Sequence, residues 1–361
     1  MNEVLMAVMA LGAVLGGLDR LRGNKWGYGD KFETGFMLLG PMALSMAGMI
    51  CLSPVLAHWL GRAIVPLYRL MGVDPAMFGS LLAIDMGGYQ LAQELAVQPR
   101  MGSYAGLVVS AIFGCTVVFT VPVGMGVILR EDRPAFARGI MLGLAAMPVG
   151  LTTGGLLCGL SLPACLWQNL PVFLLALLLF VGLRLIPRQM VKGFCLLSEG
   201  IRWLVTIGLV LAAVESLTGW NPVPGMAPLS EAMATVASIG VVLLGSLPMA
   251  ELIRRALTRP FAWLGEKLGL KPQSLTGILL ALVSALPTLS LYKDMDSRGK
   301  VAAGAFLVSG TSLLAAHMAF VASTEPAFLG PLIAAKLSGA FAAVLLALWL
   351  PPGNSSPPVK P

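Results

Sequence analysis

Apolar stretches of about 18 residues or more, the length a helix needs to cross a bilayer, recur along this chain from one end to the other. They fall near 4–18, 34–60, 75–97, 102–129, 139–161, 168–187, 202–218, 232–253, 273–293, 300–323 and 326–350. Only 11% of the 361 residues are charged and 57% are hydrophobic, whereas soluble domains carry about 25% charge. No separate soluble domain is therefore expected. Lipid offers backbone amides no partners, so apolar spans of this length are helical. The expected class is all-α, a polytopic membrane protein with a single transporter-sized domain over 1–350 and a disordered Pro- and Ser-rich tail over 351–361.

Residues 61–73 and 255–270 read as short amphipathic pieces lying at the interface. Met1-Asn2-Glu3 runs straight into the first stretch without a basic n-region or an Ala-x-Ala site, so a cleaved signal peptide is not expected. The net charge of +7 comes from basic residues scattered through short loops, which points to membrane topology rather than to nucleic acid. Five cysteines lie in or beside apolar segments with no paired spacing and read as small hydrophobes. With only His58 and His317 available, no metal site is expected. The chain has no Gly-x-x-x-x-Gly-Lys-[Ser/Thr] loop, no Gly-x-Ser-x-Gly and no His-Glu-x-x-His. Neither direct use of ATP nor an intramembrane hydrolase has support from motifs. The expectation is a facilitator or ion-coupled carrier rather than an enzyme, with no cofactor.

The two halves echo each other. Gly35-Phe-Met-Leu-Leu-Gly40 is matched by Gly240-Val-Val-Leu-Leu-Gly245, Gly72-Val-Asp-Pro75 by Gly269-Leu-Lys-Pro272, and Glu94-Leu95 by Asp294-Met295. Their shared order suggests a duplicated unit, repeat 1 over about 1–161 and repeat 2 over about 202–350, joined by a linker helix near 168–187. Charge then selects a topology. If 75–97 and 273–293 enter and leave on the same side and the N-terminus lies outside, nineteen loop lysines and arginines fall inside and only Arg62, Arg69 and Arg100 outside. A topology in which every segment spans has a much poorer bias. The preferred arrangement has about nine spanning helices plus two re-entrant hairpins, about eleven segments in an inverted repeat, with the N-terminus periplasmic and the C-terminus cytoplasmic. Kinked full spans are the alternative.

The ten residues from Pro75 to Asp85 would place Asp85 about 15 Å deep, near the midplane of a ~30 Å core. A carboxylate there costs at least ~2.5–3.5 kcal/mol on insertion scales. Asp85 either pairs with a cationic substrate or coupling ion, or is a structural acid bonded to backbone amides or to a nearby lysine. Gly87 and Gly88 permit close backbone approach, to a ligand or to another helix. Tyr89 could face an ammonium group, and Gln90 and Gln93 are polar groups near the same break. Glu94 reads as the end of the hairpin, close to Arg100. At the second break, Ser284 and Thr288 supply hydroxyls, and Pro287 blocks a continuous helix. His317 could bond substrate or respond to protons, or be a neutral histidine bonded to helix backbone. Lys336 could counter Glu325 or Asp85, or snorkel.

Four stretches are Phe36-Met-Leu-Leu-Gly-Pro-Met-Ala-Leu-Ser-Met-Ala-Gly-Met49, Ser53-Pro-Val-Leu-Ala-His58, Ile84-Asp-Met-Gly-Gly-Tyr-Gln-Leu-Ala-Gln-Glu-Leu-Ala96 and Lys293-Asp-Met-Asp-Ser-Arg-Gly-Lys300. They resemble the bacterial ethanolamine permease family of ethanolamine-utilization operons. The resemblance covers nearly the whole chain. It implies a multi-pass protein of the bacterial inner membrane that admits ethanolamine for a cobalamin-dependent lyase and itself carries no cobalamin. Around the second break the chain departs from the family pattern, with Ser284-Ala285 where amides are typical. Ethanolamine is protonated at neutral pH and bears a hydroxyl, which an acid at the midplane with hydroxyl or amide neighbours would complement. The expected partners are this small molecule and membrane lipid, with homo-oligomerisation left open. The runner-up substrates are another small amine or a nucleoside, and a non-transporting sensor or scaffold is the alternative of a different class.

Overall fold

The computed structural model describes residues 2–82 and 88–350, so Asp85, Gly87 and the tail at 351–361 lie outside the described residues. The protein is an all-α polytopic membrane protein, with no strand among the described residues. α1 (Asn2–Leu21) is followed by α2 (Gly29–Met37) and the 32-residue α3 (Leu39–Leu70). The piece expected at the interface, 61–73, continues α3 through Pro66 and is no separate element. Next come α4 (Ala76–Gly79), α5 (Gly88–Leu95), α6 (Pro99–Ser103), a π-helical run over Tyr104–Gly114 and Thr116–Thr120, and α7 (Val121–Val127). α8 (Arg133–Leu157), α9 (Leu162–Gln168), α10 (Leu170–Leu185) and α11 (Pro187–Thr218) complete the first two-thirds. The 40-residue α12 (Leu229–Leu268) absorbs most of the second expected interface piece, 255–270. Then come α13 (Pro272–Ala281), α14 (Ala285–Ser290), α15 (Ser297–Gly310), α16 (Ala316–Thr324) and α17 (Leu329–Trp349).

Among the described residues, seven helical runs are long and apolar enough to cross a bilayer, or eight if α9 and α10, bent by 54°, count as one span. The expected span at 300–323 is split between α15 and α16. Thr311 is extended and Ser312 takes a left-handed φ of +55°, a conformation that costs a side-chain-bearing residue of the order of 1 kcal/mol. The amides of Ser312 and Leu314 donate to the carbonyls of Ala281 and Leu282, at 2.9 and 2.7 Å. Two such bonds, at about 0.5–1.5 kcal/mol each, offset that strain and tie the split to the gap between α13 and α14.

Both segments expected to be hairpins fold back on themselves. In the first, a methyl on Gly79 would stand 2.6 Å from the Cα of Ala92, so α4 and α5 lie in backbone contact. Asp74 closes the open end, accepting from the amides of Ala76 (3.0 Å), Val97 (3.2 Å) and Gln98 (3.1 Å). In the second, the Thr288 hydroxyl donates to the Gly277 carbonyl across the pair at 2.8 Å. Asp296 closes that open end, accepting from the Lys271 amide (2.9 Å), the Ser274 hydroxyl (2.6 Å) and the Gly299 amide (3.0 Å). Pro287 sits in the first turn of α14, where its missing amide is tolerated, and the helix breaks before it. Gly72 and Gly269, each three residues before the proline that opens its pair, share a left-handed φ of +65°.

The long helices pack through glycines, as membrane helices do when backbones approach closely. Gly139 and Gly143 of α8 meet the backbone of α15, and Gly150 and Gly154 meet α17. The echoed motifs near 35–40 and 240–245 lie against one another, Gly35 on the Leu243 backbone and Gly240 on Leu39. Loops also join. Arg255 donates to the Trp26 carbonyl at 2.8 Å, Lys300 to Asp132 at 2.5 Å, and Arg298 to the Leu348 carbonyl at 3.0 Å. Elsewhere Trp167 donates to the Met71 carbonyl at 3.0 Å, and the Asp74 amide to Gln168 at 2.7 Å.

Candidate functional site

The folded-back pairs converge. Tyr89 of α5 and Val283, between α13 and α14, pack against one apolar cluster that contains Ala111 of the π-helical run and Ala315, Met318 and Phe320 at the start of α16. Tyr89 meets Phe320 edge-to-face at 5.7 Å. Gly106 makes room for this approach, since a methyl there would stand 2.8 Å from the Tyr89 Cα.

Beside this cluster lies a polar knot. Oε1 of Glu325, at the C-terminal end of α16, accepts three hydrogen bonds. They come from the Tyr89 hydroxyl (2.6 Å), the Ser103 hydroxyl (2.7 Å) and Gln93 Nε2 (2.9 Å), and Gln93 also donates to Ser103 at 2.9 Å. Tyr89 and Gln93 are one turn apart on α5 and so share a face. Proline at the start of α6 sets the helix that carries Ser103 into the same knot. Among the described residues, no Lys, Arg or His forms an ion pair with Glu325.

The remaining candidates divide. Gly88 is buried at the first position of α5, Gln90 has a buried Oε1 without a partner among the described residues, and Glu94 is exposed. Thr288 is fully buried, and its hydroxyl is used on Gly277, so it serves the pair's own packing. Ser284 caps α14 in an extended conformation with no side-chain cap bond. His317, 2% exposed, has an unpartnered Nδ1 among the described residues, and its amide donates to the Ser312 carbonyl at 3.3 Å. Lys336 is fully buried on α17 and donates to the Ala111 carbonyl at 2.8 Å instead of to Glu325. Asp85 and Gly87 lie outside the described residues. Glu325 and Ser103 are the members sequence reasoning did not place here. The only available signal was an acid directly after an apolar run, in Ser323-Thr324-Glu325-Pro326. Among the described residues no three His, Cys, Asp or Glu are grouped to hold a metal.

Chemically, the arrangement is a half-buried carboxylate fixed by neutral donors beside an aromatic pair, at the C-terminal end of the split helix. Such a site suits a small polar cation.

The family described as "Ethanolamine utilisation protein, EutH" matches residues 1–350. A protein of Listeria monocytogenes named "Probable ethanolamine permease EutH" is 39% identical, over 97% of this chain and 94% of its own length. "Uncharacterized protein YxeR" of Bacillus subtilis is 37% identical, over 98% and 96%. A "Probable ethanolamine permease EutH" of Salmonella typhimurium is 35% identical, over 99% and 98%. No solved structure matches the chain.

Proposed function

The chain belongs to the EutH family of ethanolamine utilisation proteins, and from that premise we propose that it carries protonated ethanolamine across the bacterial inner membrane. The role is that of a permease rather than an enzyme. The observation that carries the reading is the convergence of two folded-back helix pairs and one split helix on a single interior cluster. Discontinuous helices leave polar groups available at membrane depth, the device transporters use to hold polar solutes.

The re-entrant topology and the inverted repeat belong to the same proposal. Loops bonded to each other lie on one face of a membrane. The bonds of Arg255 to the 26 loop, Lys300 to the 132 loop and Trp167 to the 71 loop are allowed if the two pairs are re-entrant. They are forbidden if every segment spans, because each would then join opposite faces. The lysine and arginine distribution supports an outside N-terminus and an inside C-terminus.

In this proposal Asp85 pairs with the ammonium, and Gly88, Tyr89, Gln90, Ser284 and His317 are the further candidate contacts. The test is uptake of labelled ethanolamine by proteoliposomes. Uptake competed by ethanolamine and not by nucleosides is the expected result. Asp85→Asn should insert normally and lose at least about tenfold of the uptake, as expected for removing a charged partner. Undiminished uptake by that variant removes Asp85 from the site.

A further inference from the structure

We propose that Glu325 is a second ammonium-binding station, set against the second arm of the first helix pair. The inference rests on the permease reading for its purpose, but its evidence is local geometry. A carboxylate has two oxygens. Here Oε1 is saturated by Tyr89, Ser103 and Gln93, at 2.6, 2.7 and 2.9 Å, while Oε2 accepts nothing among the described residues. Three neutral donors therefore hold the group in one orientation without neutralising it, and one oxygen stays open to a ligand.

The charge is also in a costly place. Glu325 follows the last residue of α16, and its amide donates to the Val321 carbonyl at 3.0 Å. A helix C-terminus carries partial negative charge and favours cations. A carboxylate added there, half-buried and without an ion-pair partner among the described residues, is unfavourable unless a cation joins it. The helix carbonyls and the open oxygen favour the same kind of ligand. A primary ammonium fits, because its three donors can be shared between Oε2 and neighbouring acceptors.

Gln93 and Ser103 flank the open end of the pair, which Asp74 closes through Val97 and Gln98. A cavity of about 340 Å³ lies there, lined by Arg69, Asp74, Gln98, Met101 and Gln168 among others. Met101 is two residues before Ser103.

The test uses purified full-length protein, with thermal unfolding in detergent as a binding readout beside vesicle uptake. Ethanolamine is compared with ethylene glycol, which is similar in size but uncharged. Ethanolamine should stabilise the wild type and ethylene glycol should not. Glu325→Gln keeps an acceptor for Tyr89 and Ser103 but removes the charge. It should melt near the wild-type temperature and bind ethanolamine at least about tenfold more weakly. Tyr89→Phe keeps the charge and loses one orienting donor, so it should weaken binding only by about two- to threefold. Equal binding by Glu325→Gln and wild type overturns the proposal, as does failure of ethanolamine to stabilise the wild type. Glu325-dependent binding without any vesicle uptake would leave the station standing and sink the permease reading instead.

Discussion

A methyl group on Gly48 would stand 1.8 Å from the Val205 carbonyl oxygen, and one on Gly208 would stand 2.5 Å from the Gly48 carbonyl oxygen. α3 and α11 therefore meet backbone to backbone. Gly48→Ala must push them apart, at a cost of about 1–3 kcal/mol for overpacking, and should lower the melting temperature of the detergent-solubilised protein. At this scale the sequence was partly legible. Tyr89 and Gln93 stood out as polar groups beside a glycine pair in an apolar run, and both reach the polar knot. Glu325 was read only as a counter-charge for Lys336, because its true partners lie 222 to 236 residues away. Thr288, a candidate substrate-binding hydroxyl, donates to the Gly277 carbonyl within its own pair. Local sequence cannot distinguish these outcomes, since a hydroxyl's partner depends on which backbone carbonyl the fold brings within 3 Å.

The two folded-back pairs are elements with a common closing device. Asp74 stands before the first arm of one and Asp296 after the second arm of the other, and each reaches across the open end to backbone amides. Burial opposes charge on Asp296, but the Ser274 hydroxyl and the amides of Lys271 and Gly299 outweigh it and hold the carboxyl below the usual carboxylate range. A depressed folded value means that this contribution is complete above the ordinary carboxylate pKa of about 3.9 and is lost as pH falls through the folded value. Asp296→Asn should therefore destabilise the protein at neutral pH by of the order of 1–3 kcal/mol. The gap from wild type should close below about pH 4, measured by thermal unfolding across pH. Equal pH profiles for the two proteins would exclude the clamp. The break in the second pair was legible from Pro287. The split of 300–323 was not, because Thr311–Ala315 contains no proline or glycine. It is imposed by backbone bonds to Ala281 and Leu282.

For the whole molecule, the decisive quantity is which loops share a face. The re-entrant topology puts positions 25 and 293 on one side and 100 and 220 on the other, whereas a topology in which every segment spans puts all four together. Single cysteines at Lys25, Lys293, Arg100 and Trp220, in a background lacking the five native cysteines, should react with an impermeant maleimide from opposite sides. Positions 100 and 220 should label in intact cells, and positions 25 and 293 only after permeabilisation. Labelling of all four from one side would rule the hairpins out.

The sequence by itself determined the class of this protein. Apolar length and the scarcity of charge leave few options in a bilayer, where each backbone amide must bond within its own helix. It also determined where the second pair breaks, because proline acts locally. Only the tertiary structure decided which polar groups meet. Glu325, Ser103, Tyr89 and Gln93 come from separated segments, and nothing in their local patterns encodes the contact. The split between α15 and α16 depends in the same way on a neighbouring pair. Helix formation is a short-range property of the chain, whereas the site is made where helices cross, and those crossings are set by the packing of the whole bundle.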